Sequence, residues 1–364
     1  MRERFGDIDK FLQAPDWWPS SIDTAEKFLK NLDGIEVKEI GRSAGGRPIV
    51  AAIWGEKEPI ETTSISLHSS LASGVGNPDP TNIFPESFYG KRRRKQVMIF
   101  QGDIHGAEIE GTVAALNFLN VLVQGKDLRG KRWEKLKNEA SNMRIIVIPF
   151  ANPDGRARIP TMHLSGATDE LGQAVTMGLW KDGTIIKYPD HKNVYPMPID
   201  KVLMLGGYFN DNGFNLQYDF CLPHRQPETE ALCQFYLDER PDVVIVGHSD
   251  AGSLVDAPDP FLQVPFRYMQ SRIGGVIRER ILREGYPITR SSWIDLPSLG
   301  SPHFNQATSI YHCSGALPLL VEFPNGHPNN PVNLEQILDI GLLIFEELCF
   351  FGNRDGFRPL NIWK

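Results

Sequence analysis

The chain has 364 residues, of which 41% are hydrophobic and 23% charged, a composition that excludes disorder over most of its length. Asp and Glu together number 45 against 38 Lys and Arg, so the formal net charge is -7. A protein that wraps nucleic acid is therefore excluded, because binding to phosphate requires clustered positive charge.

The N-terminal part of the chain contains few regular elements. Residues 1–34 form a lead-in with one predicted helix, Ser21–Leu32, which has a capping serine and an apolar stripe. Two alternating runs around a glycine-containing turn predict a β-hairpin over Ile35–Gly55. Residues 56–95 are predicted to be a long loop insertion. It ends in the basic run Lys91–Lys95, which we interpret as a solvated approach to a strand rather than an anion-binding patch.

Strands and helices alternate over the rest of the chain. Runs rich in Val, Ile and Leu are typical of strands that are buried on both faces of a sheet, and they occur at Gln96–Gln101, Arg144–Pro149, Asp242–Gly247 and Leu317–Phe323. The predicted helices are Ala107–Val123, Pro227–Glu239, Tyr268–Glu284 and Leu334–Glu347. This alternation predicts an α/β fold in a single domain over residues 1–364. The expected sheet is mixed, mostly parallel and twisted, with about eight strands and with helices on both faces.

The cysteines and the apolar runs bear on the compartment. Cys221, Cys233, Cys313 and Cys349 form no C-x-x-C pair, so we expect free, buried thiols in a reducing compartment. The N-terminus lacks an apolar signal segment, and the longest apolar run, Ile340–Leu348, is interrupted by two glutamates. We expect a cytoplasmic protein without a membrane partner, although a removed leader would leave the same chain. The oligomeric state is open.

The first motif with chemical content is Gln101–Gly111, which directly follows a predicted strand. A helix that begins at Gly106 or Ala107 would bring His105 and Glu108 together just past the carboxyl end of that strand. Imidazole and carboxylate are suitable ligands for zinc. The alternative is a helix N-terminus with a capping histidine, but the position after a buried strand favours metal binding.

Two further residues stand at comparable places. His248 ends the third predicted strand as His105 follows the first, so His105, Glu108 and His248 can hold one zinc ion that keeps an open position. Glu322 lies within the fourth predicted strand, and a carboxylate there must be paired or used. Beside zinc it can take a proton from water and pass it to a leaving amine. An exposed glutamate on an edge strand is the alternative.

Together these motifs resemble the zinc carboxypeptidase family, the carboxypeptidase A-like metallopeptidases, over most of the chain. In chain order the matching segments are VKEIGRSAGGRPIVAAIWG, HGAE, IPFANPDGR, VIVGHSD and LLVEFPNG. Five ordered motifs are far more specific than any one of them. The resemblance implies a zinc-carboxypeptidase-like fold, one Zn²⁺ on His105, Glu108 and His248, and Glu322 as the catalytic general base.

The segment Asn210–Phe220 departs from the family pattern in residues that concern the substrate. Gln217 and Tyr218 stand where the family has an Asn-Arg pair that clamps the terminal carboxylate, and Tyr208 stands near an arginine that polarises the scissile carbonyl. Asn215 replaces an aspartate that orients the first zinc histidine, and it can still accept a hydrogen bond. Tyrosine cannot replace the charge of the arginine, so ordinary C-terminal exopeptidase action is left open.

Other residues could contact the substrate from a different direction. Arg156, Arg158 and Lys181 are candidates to supply the missing positive charge. Tyr311 is either a mobile phenol of the kind that some family members place over the substrate or a tyrosine packed in a strand. The resulting hypothesis is zinc-dependent hydrolysis of an amide in a peptide, a peptidoglycan-type compound or an acylated amino acid. A non-catalytic zinc-binding pseudo-peptidase would explain the lost clamp, but the retained Glu322 argues against it.

A serine hydrolase is an alternative from another class. Ser249 in GHSDA resembles the nucleophile of a G-x-S-x-G elbow. Ala251 replaces the last glycine of that motif, and no helical pattern follows it. The residues that could complete a triad are Asp256, Asp295, His303, His312 and His327.

Overall fold

In the part of the chain that the structure describes, nine strands form two sheets. The computed structural model describes residues 8–73, 86–90, 93–252, 254–255, 258–288 and 304–358. The strands are β1 (Glu36–Arg42), β2 (Pro48–Trp54), β3 (Val97–Gln101), β4 (Arg144–Ile148), β5 (Gly178–Trp180), β6 (Val202–Leu205), β7 (Val243–Asp250), β8 (Leu254–Val255) and β9 (Leu317–Pro324). Strands β5 and β6 form a small antiparallel sheet, and the other seven form the main sheet.

The main sheet has the order β1-β2-β4-β3-β7-β9-β8. Its four central strands, β4, β3, β7 and β9, run parallel to one another, whereas β1, β2 and β8 are joined to the sheet by antiparallel pairs. The main sheet has seven strands among the described residues, compared with a predicted number of about eight. The predicted mixed sheet is confirmed, and the carboxyl ends of β3, β7 and β9 lie side by side at one edge.

Helices cover both faces of this sheet, as predicted. They are α1 (Ile22–Lys30), α2 (Leu67–Ala72), α3 (Glu86–Tyr89), α4 (Glu110–Gln124), α5 (Glu134–Ala140), α6 (Pro153–Arg158), α7 (Asp169–Thr176), α8 (Pro227–Glu239), α9 (Val264–Arg283), α10 (Gln306–Ser314) and α11 (Leu334–Arg354). Met98 and Phe100 of β3 pack into a core with α4, α9 and α11, while Val97 and Ile99 pack into a second core with α8 and α10. Successive side chains of β3 point to opposite faces of the sheet, so they pack into two separate cores.

The predicted helices exist, with shifted ends. Helix α8 has the predicted bounds, and Ser21 caps α1 by accepting from the Thr24 N–H at 3.2 Å. Helix α4 begins at Glu110 rather than at Ala107, because the preceding residues form a turn in which the Glu108 N–H donates to the His105 carbonyl at 2.8 Å. That turn bends Glu108 back toward His105.

The stretch 56–95 is not purely loop, since helices α2 and α3 lie within it. The basic run at its end was predicted to be solvated, and this is wrong for Arg93. Its buried guanidinium donates to Asp242 at 3.0 Å, because the strand entrance packs against the C-terminal end of α8. Residues 74–85 and 91–92 lie outside the described residues.

The cysteines and the long helices give two further outcomes. All four cysteines are free, and Cys233 and Cys349 are buried, but Cys221 is exposed, contrary to the expectation of burial. Among the helices that the structure describes, none is both long and apolar enough to cross a membrane.

Candidate metal and catalytic site

His105, Glu108 and His248 meet at the carboxyl ends of β3 and β7. All three are buried, and their potential ligand atoms lie within 4.8 Å of one another. The two carboxylate oxygens of Glu108 divide between the histidines, with one 3.1 Å from Nδ1 of His105 and the other 2.9 Å from Nδ1 of His248. Two imidazole nitrogens and a carboxylate at this spacing are a donor set that suits zinc. We call these three residues the metal cluster.

The loop that carries His105 is held by close backbone packing. A Cβ on Gly106 would lie 2.2 Å from the carbonyl carbon of Gly155, so a side chain has no room there. The Gly106 N–H donates to the Gly207 carbonyl at 2.7 Å, and the Asn152 amide donates to the Ile104 carbonyl at 3.2 Å. The N-P-D-G segment, Asn152–Gly155, thus packs against the loop that carries His105 and hydrogen-bonds to it.

The His105 ring is fixed from two directions. Its Nε2 lies 3.2 Å from Oδ1 of Asn215, and that oxygen also accepts the Gln217 backbone N–H at 3.0 Å. Because Oδ1 can only accept, the His105 tautomer that donates from Nε2 to Asn215 is the one that leaves the Nδ1 lone pair available to a metal ion. Tyr208 stacks on the ring with centroids 3.6 Å apart and planes 6° from parallel.

The charges within the metal cluster match metal binding. Burial lowers the pKa of His105, which favours the neutral ring. Burial opposes the charge of Glu108, but the charges and hydrogen bonds of the two histidines prevail and lower the pKa of this carboxyl. The Nε2 of His248 has no hydrogen-bond partner among the residues that the structure describes. A neutral imidazole and a carboxylate are the forms in which these groups bind metal.

Glu322 stands on β9 directly beside the metal cluster. It is the register partner of His248 in the parallel pair β7–β9, and residues opposite each other in a sheet direct their side chains to the same face. Glu322 is half-buried, and its charge acts on the Tyr208 hydroxyl. The alternative, an exposed glutamate on an edge strand, does not fit, because β8 pairs along the outer side of β9.

A cavity of about 220 Å³ opens next to the metal cluster. Glu108, Glu110, Tyr208 and Ser249 contribute to its wall. Burial raises the pKa of Glu110 to about 7, and the Ser249 hydroxyl donates to this carboxyl at 2.6 Å. One residue of the metal cluster, Glu108, thus borders a cavity with polar groups in its wall.

The serine hydrolase alternative is not favoured. Strand β7 runs on through Ser249 to Asp250 and is followed by β8, so the strand-to-helix elbow that exposes a nucleophile is missing in this described segment. His312 lies 3.3 Å from His68, and His327 contacts Asp169. The remaining triad candidates, Asp256, Asp295 and His303, lie outside the described residues.

The two arginines expected near the substrate are instead part of the scaffold. The buried guanidinium of Arg156 donates to the carbonyls of Gly106, Ile159 and Thr161 at 2.9, 2.8 and 2.6 Å. The guanidinium of Arg156 therefore binds carbonyls of the loops around the metal cluster. Burial lowers the pKa of Arg156.

Arg158 and Lys181 also point elsewhere. The Arg158 guanidinium donates to the carbonyls of Gly206 and Phe209, both at 3.0 Å, and pairs with Asp211. Lys181 is exposed at the end of β5. The structure therefore brings neither side chain to the metal cluster as a free positive charge.

Tyr311 belongs to the core. It lies in α10, is 2% exposed and packs against Phe266 with ring centroids 4.7 Å apart. The expectation of a mobile phenol does not fit this position, and the packed-strand alternative placed it on the wrong kind of element. The apolar residues around Tyr311 are too few for their spacing to distinguish a strand from a helix.

Sequence reasoning missed Lys192. Its ammonium lies 5.7 Å from the ring centroid of Tyr218, in the half-buried loop that also holds Gln217. The segment around it, YPDHKNVYP, matches no chemical motif. Its concentration of aromatic residues around one cation is the signal that could have drawn attention to it.

Comparisons with known proteins agree with this geometry. The zinc carboxypeptidase family model matches residues 26–259. The fold is similar to that of thrombin-activatable fibrinolysis inhibitor, at 13% identity and TM-score 0.56, covering 96% of this chain and 83% of that one. A metallo-carboxypeptidase from Burkholderia cenocepacia gives 15% identity and TM-score 0.52, covering 91% of this chain and 69% of that one.

A third structure is the metallo-carboxypeptidase from Pseudomonas aeruginosa in complex with (2-guanidinoethylmercapto)succinic acid. It has 14% identity and a TM-score of 0.53, and the match covers 93% of this chain and 70% of that one. At such identities the likeness is one of fold. No curated protein matches the sequence. Because the family model spans more than half of the sequence, this chain belongs to the zinc carboxypeptidase family.

Proposed function

We propose that this protein is a zinc-dependent hydrolase that cleaves an amide bond in a peptide or an acylated amino acid. The observation that carries the proposal is the metal cluster, whose ligand atoms lie within 4.8 Å of one another. Glu322 stands one strand away, in register with His248. A set of three ligands and a neighbouring carboxylate is what hydrolysis at a catalytic zinc site requires.

The ligands in this proposal are His105, Glu108 and His248, and they hold one ion. The Nδ1 atoms of both histidines face the Glu108 carboxylate, and Asn215 holds the first ring through its other nitrogen. A zinc ion bound there supplies a Lewis acid that acidifies water and polarises a carbonyl.

The remaining chemistry belongs to side chains of this protein. Glu322 accepts a proton from the attacking water and returns it to the amine that leaves, a role worth about 10²- to 10⁴-fold in rate. The Tyr208 hydroxyl interacts electrostatically with both Glu108 and Glu322, which supports a role for it as donor to the carbonyl oxygen of a bound amide. The cavity bounded by Glu108 and Tyr208 gives room for the group on one side of the scissile bond.

The substrate class follows from the family and from the polar cavity. Members of the zinc carboxypeptidase family act on peptides, and the Pseudomonas aeruginosa relative binds a derivative of succinic acid, which carries carboxylates. We therefore propose a peptide or acyl-amino-acid substrate rather than a nucleic acid or a lipid.

Removal of the metal tests the proposal. The purified protein is expected to contain about one zinc per chain, to lose hydrolysis of N-acyl dipeptides after chelation, and to regain it with Zn²⁺ but not with Mg²⁺. A serine-directed phosphonate should leave the rate unchanged. Hydrolysis that survives complete chelation would contradict the metal mechanism, and zinc-loaded protein without turnover on a broad amide library would favour the non-catalytic alternative.

A further inference from the structure

The described site has no arginine that is free to bind a substrate carboxylate. Tyr218 occupies the position at which the resemblance to the family predicts an arginine. The guanidinium groups of Arg156 and Arg158 bind backbone carbonyls and Asp211. If the substrate carries a carboxylate, the cation that binds it comes from another element.

Lys192 is a positive charge of the right kind. It lies in a 3₁₀ turn, Asp190–Asn193, and its ammonium donates to the Tyr188 hydroxyl at 3.1 Å while lying 4.6 Å from the centroid of that ring. In the part of the chain that the structure describes, no carboxylate forms an ion pair with it. Although burial disfavours its charge, the hydrogen bond to Tyr188 prevails and raises the pKa of Lys192. An ammonium has three donors, so at least one remains for a ligand.

A continuous series of rings connects Lys192 to the metal cluster. The ring of Tyr188 lies 5.6 Å from that of His191, which lies 5.9 Å from that of Tyr208, and Tyr208 stacks on His105 at 3.6 Å. We call Tyr188, His191, Tyr208 and Tyr218 the aromatic wall. Lys192 therefore sits at the outer end of a surface whose inner end touches a proposed zinc ligand.

A second contact points the same way. The Tyr218 hydroxyl hydrogen-bonds Lys192 and also interacts electrostatically with Glu108, so this side chain is near both the cation and the metal cluster. Burial lowers the pKa of His191 to about 4, and the positive charge of the turn therefore belongs to Lys192.

We propose that Lys192 binds the free carboxylate of the substrate, in place of an arginine fixed beside the metal cluster. The inference rests on the proposed function and narrows its substrate class to peptides and acyl amino acids that end in a free carboxylate. The hydroxyls of Tyr188 and Tyr218 flank the ammonium and supply further donors. A lysine is a single point charge without the fork of an arginine, so recognition should depend on charge more than on orientation.

The test compares N-benzoylglycyl-phenylalanine with its C-terminal carboxamide. Wild-type zinc protein is expected to bind the free acid more tightly, and Lys192→Met should reduce that preference by about 10- to 100-fold, the effect of one hydrogen bond to a charged group. The loss should appear in KM for the free acid, with kcat and the carboxamide unaffected. Lys192→Arg should restore most of the preference, and Lys187→Met, an exposed lysine of the same segment, should not alter it.

Calorimetric titration of zinc-loaded protein with both compounds, carried out in the Glu322→Gln background so that turnover does not consume them, separates this inference from the proposed function. The inference is overturned if the protein with Lys192 intact binds the two compounds equally or binds neither. It is also overturned if Lys192→Met keeps the preference or weakens both compounds alike, since a lysine that merely packs on Tyr188 would behave so. Failure to hydrolyse either compound, with the binding preference intact, would instead overturn the hydrolase proposal and leave the role of Lys192 standing.

Discussion

The metal cluster and the aromatic wall differ in what supports them. The metal cluster lies at the ends of β3 and β7, where backbone hydrogen bonds to both sides fix the strands, and His105 and His248 are only 2% and 4% exposed. The aromatic wall is carried by loops, and Tyr188 is 53% exposed. The sheet thus fixes the geometry of the metal cluster, while the loops carry the surface that we propose selects the substrate.

The loops are nevertheless anchored. The buried Asp154 carboxylate accepts from the Ser43 hydroxyl at 2.6 Å and from Arg47 at 2.8 Å, and Arg47 also pairs with Asp211 at 2.8 Å. Arg158 pairs with the other oxygen of Asp211. This network joins the hairpin turn, the N-P-D-G segment and the loop that carries Tyr208 and Tyr218 of the aromatic wall. That part of the wall is therefore held by contacts within the protein.

The largest expected effect is on kcat, and it tests whether Glu322 at the sheet edge acts in catalysis or only in structure. Glu322→Gln should lower kcat by about 10³-fold, because the amide cannot accept the proton of water. Zinc content and the thermal unfolding midpoint should stay near wild type, since the side chain keeps its shape. Ser249→Ala is the matched control on the neighbouring strand, and it should retain activity. Equal activity of Glu322→Gln and wild type would remove Glu322 from the mechanism.

The next effect tests whether the scaffold arginine acts on stability or on the substrate. Arg156→Met leaves three carbonyls without their charged donor and should lower the free energy of unfolding by about 2–4 kcal/mol. Urea unfolding of zinc-saturated protein measures it. The control Arg272→Met removes a surface pair with Asp355 and should cost less than about 1 kcal/mol. If Arg156→Met instead raises KM for the free acid selectively and leaves the free energy of unfolding unchanged, Arg156 contacts the substrate.

The same contrast explains what the sequence could predict. Apolar runs specify strands locally, and residues at strand ends, such as His105 and His248, come together once parallel order is assumed. Arg93 could not be placed, because its partner Asp242 lies far away in the chain. Arg156 could not be placed either, because the carbonyls that it binds are brought together only by the way the loops pack. Lys192 has neither a motif nor a strand, and only the three-dimensional arrangement of the aromatic wall gives it a role.

The smallest effect concerns the contact that joins the two regions. Asn215→Ala removes the acceptor for Nε2 of His105 and should weaken zinc binding by about 10-fold, as measured by competition with a chromogenic chelator. Gln217→Ala is the control, because its backbone N–H still donates to Asn215. It should leave zinc affinity unchanged even if it alters KM. If Asn215→Ala also lowers the preference for the free acid, then the loop positions the metal cluster and the aromatic wall together. If zinc affinity does not change, the sheet alone orients His105, and the loop serves the substrate only.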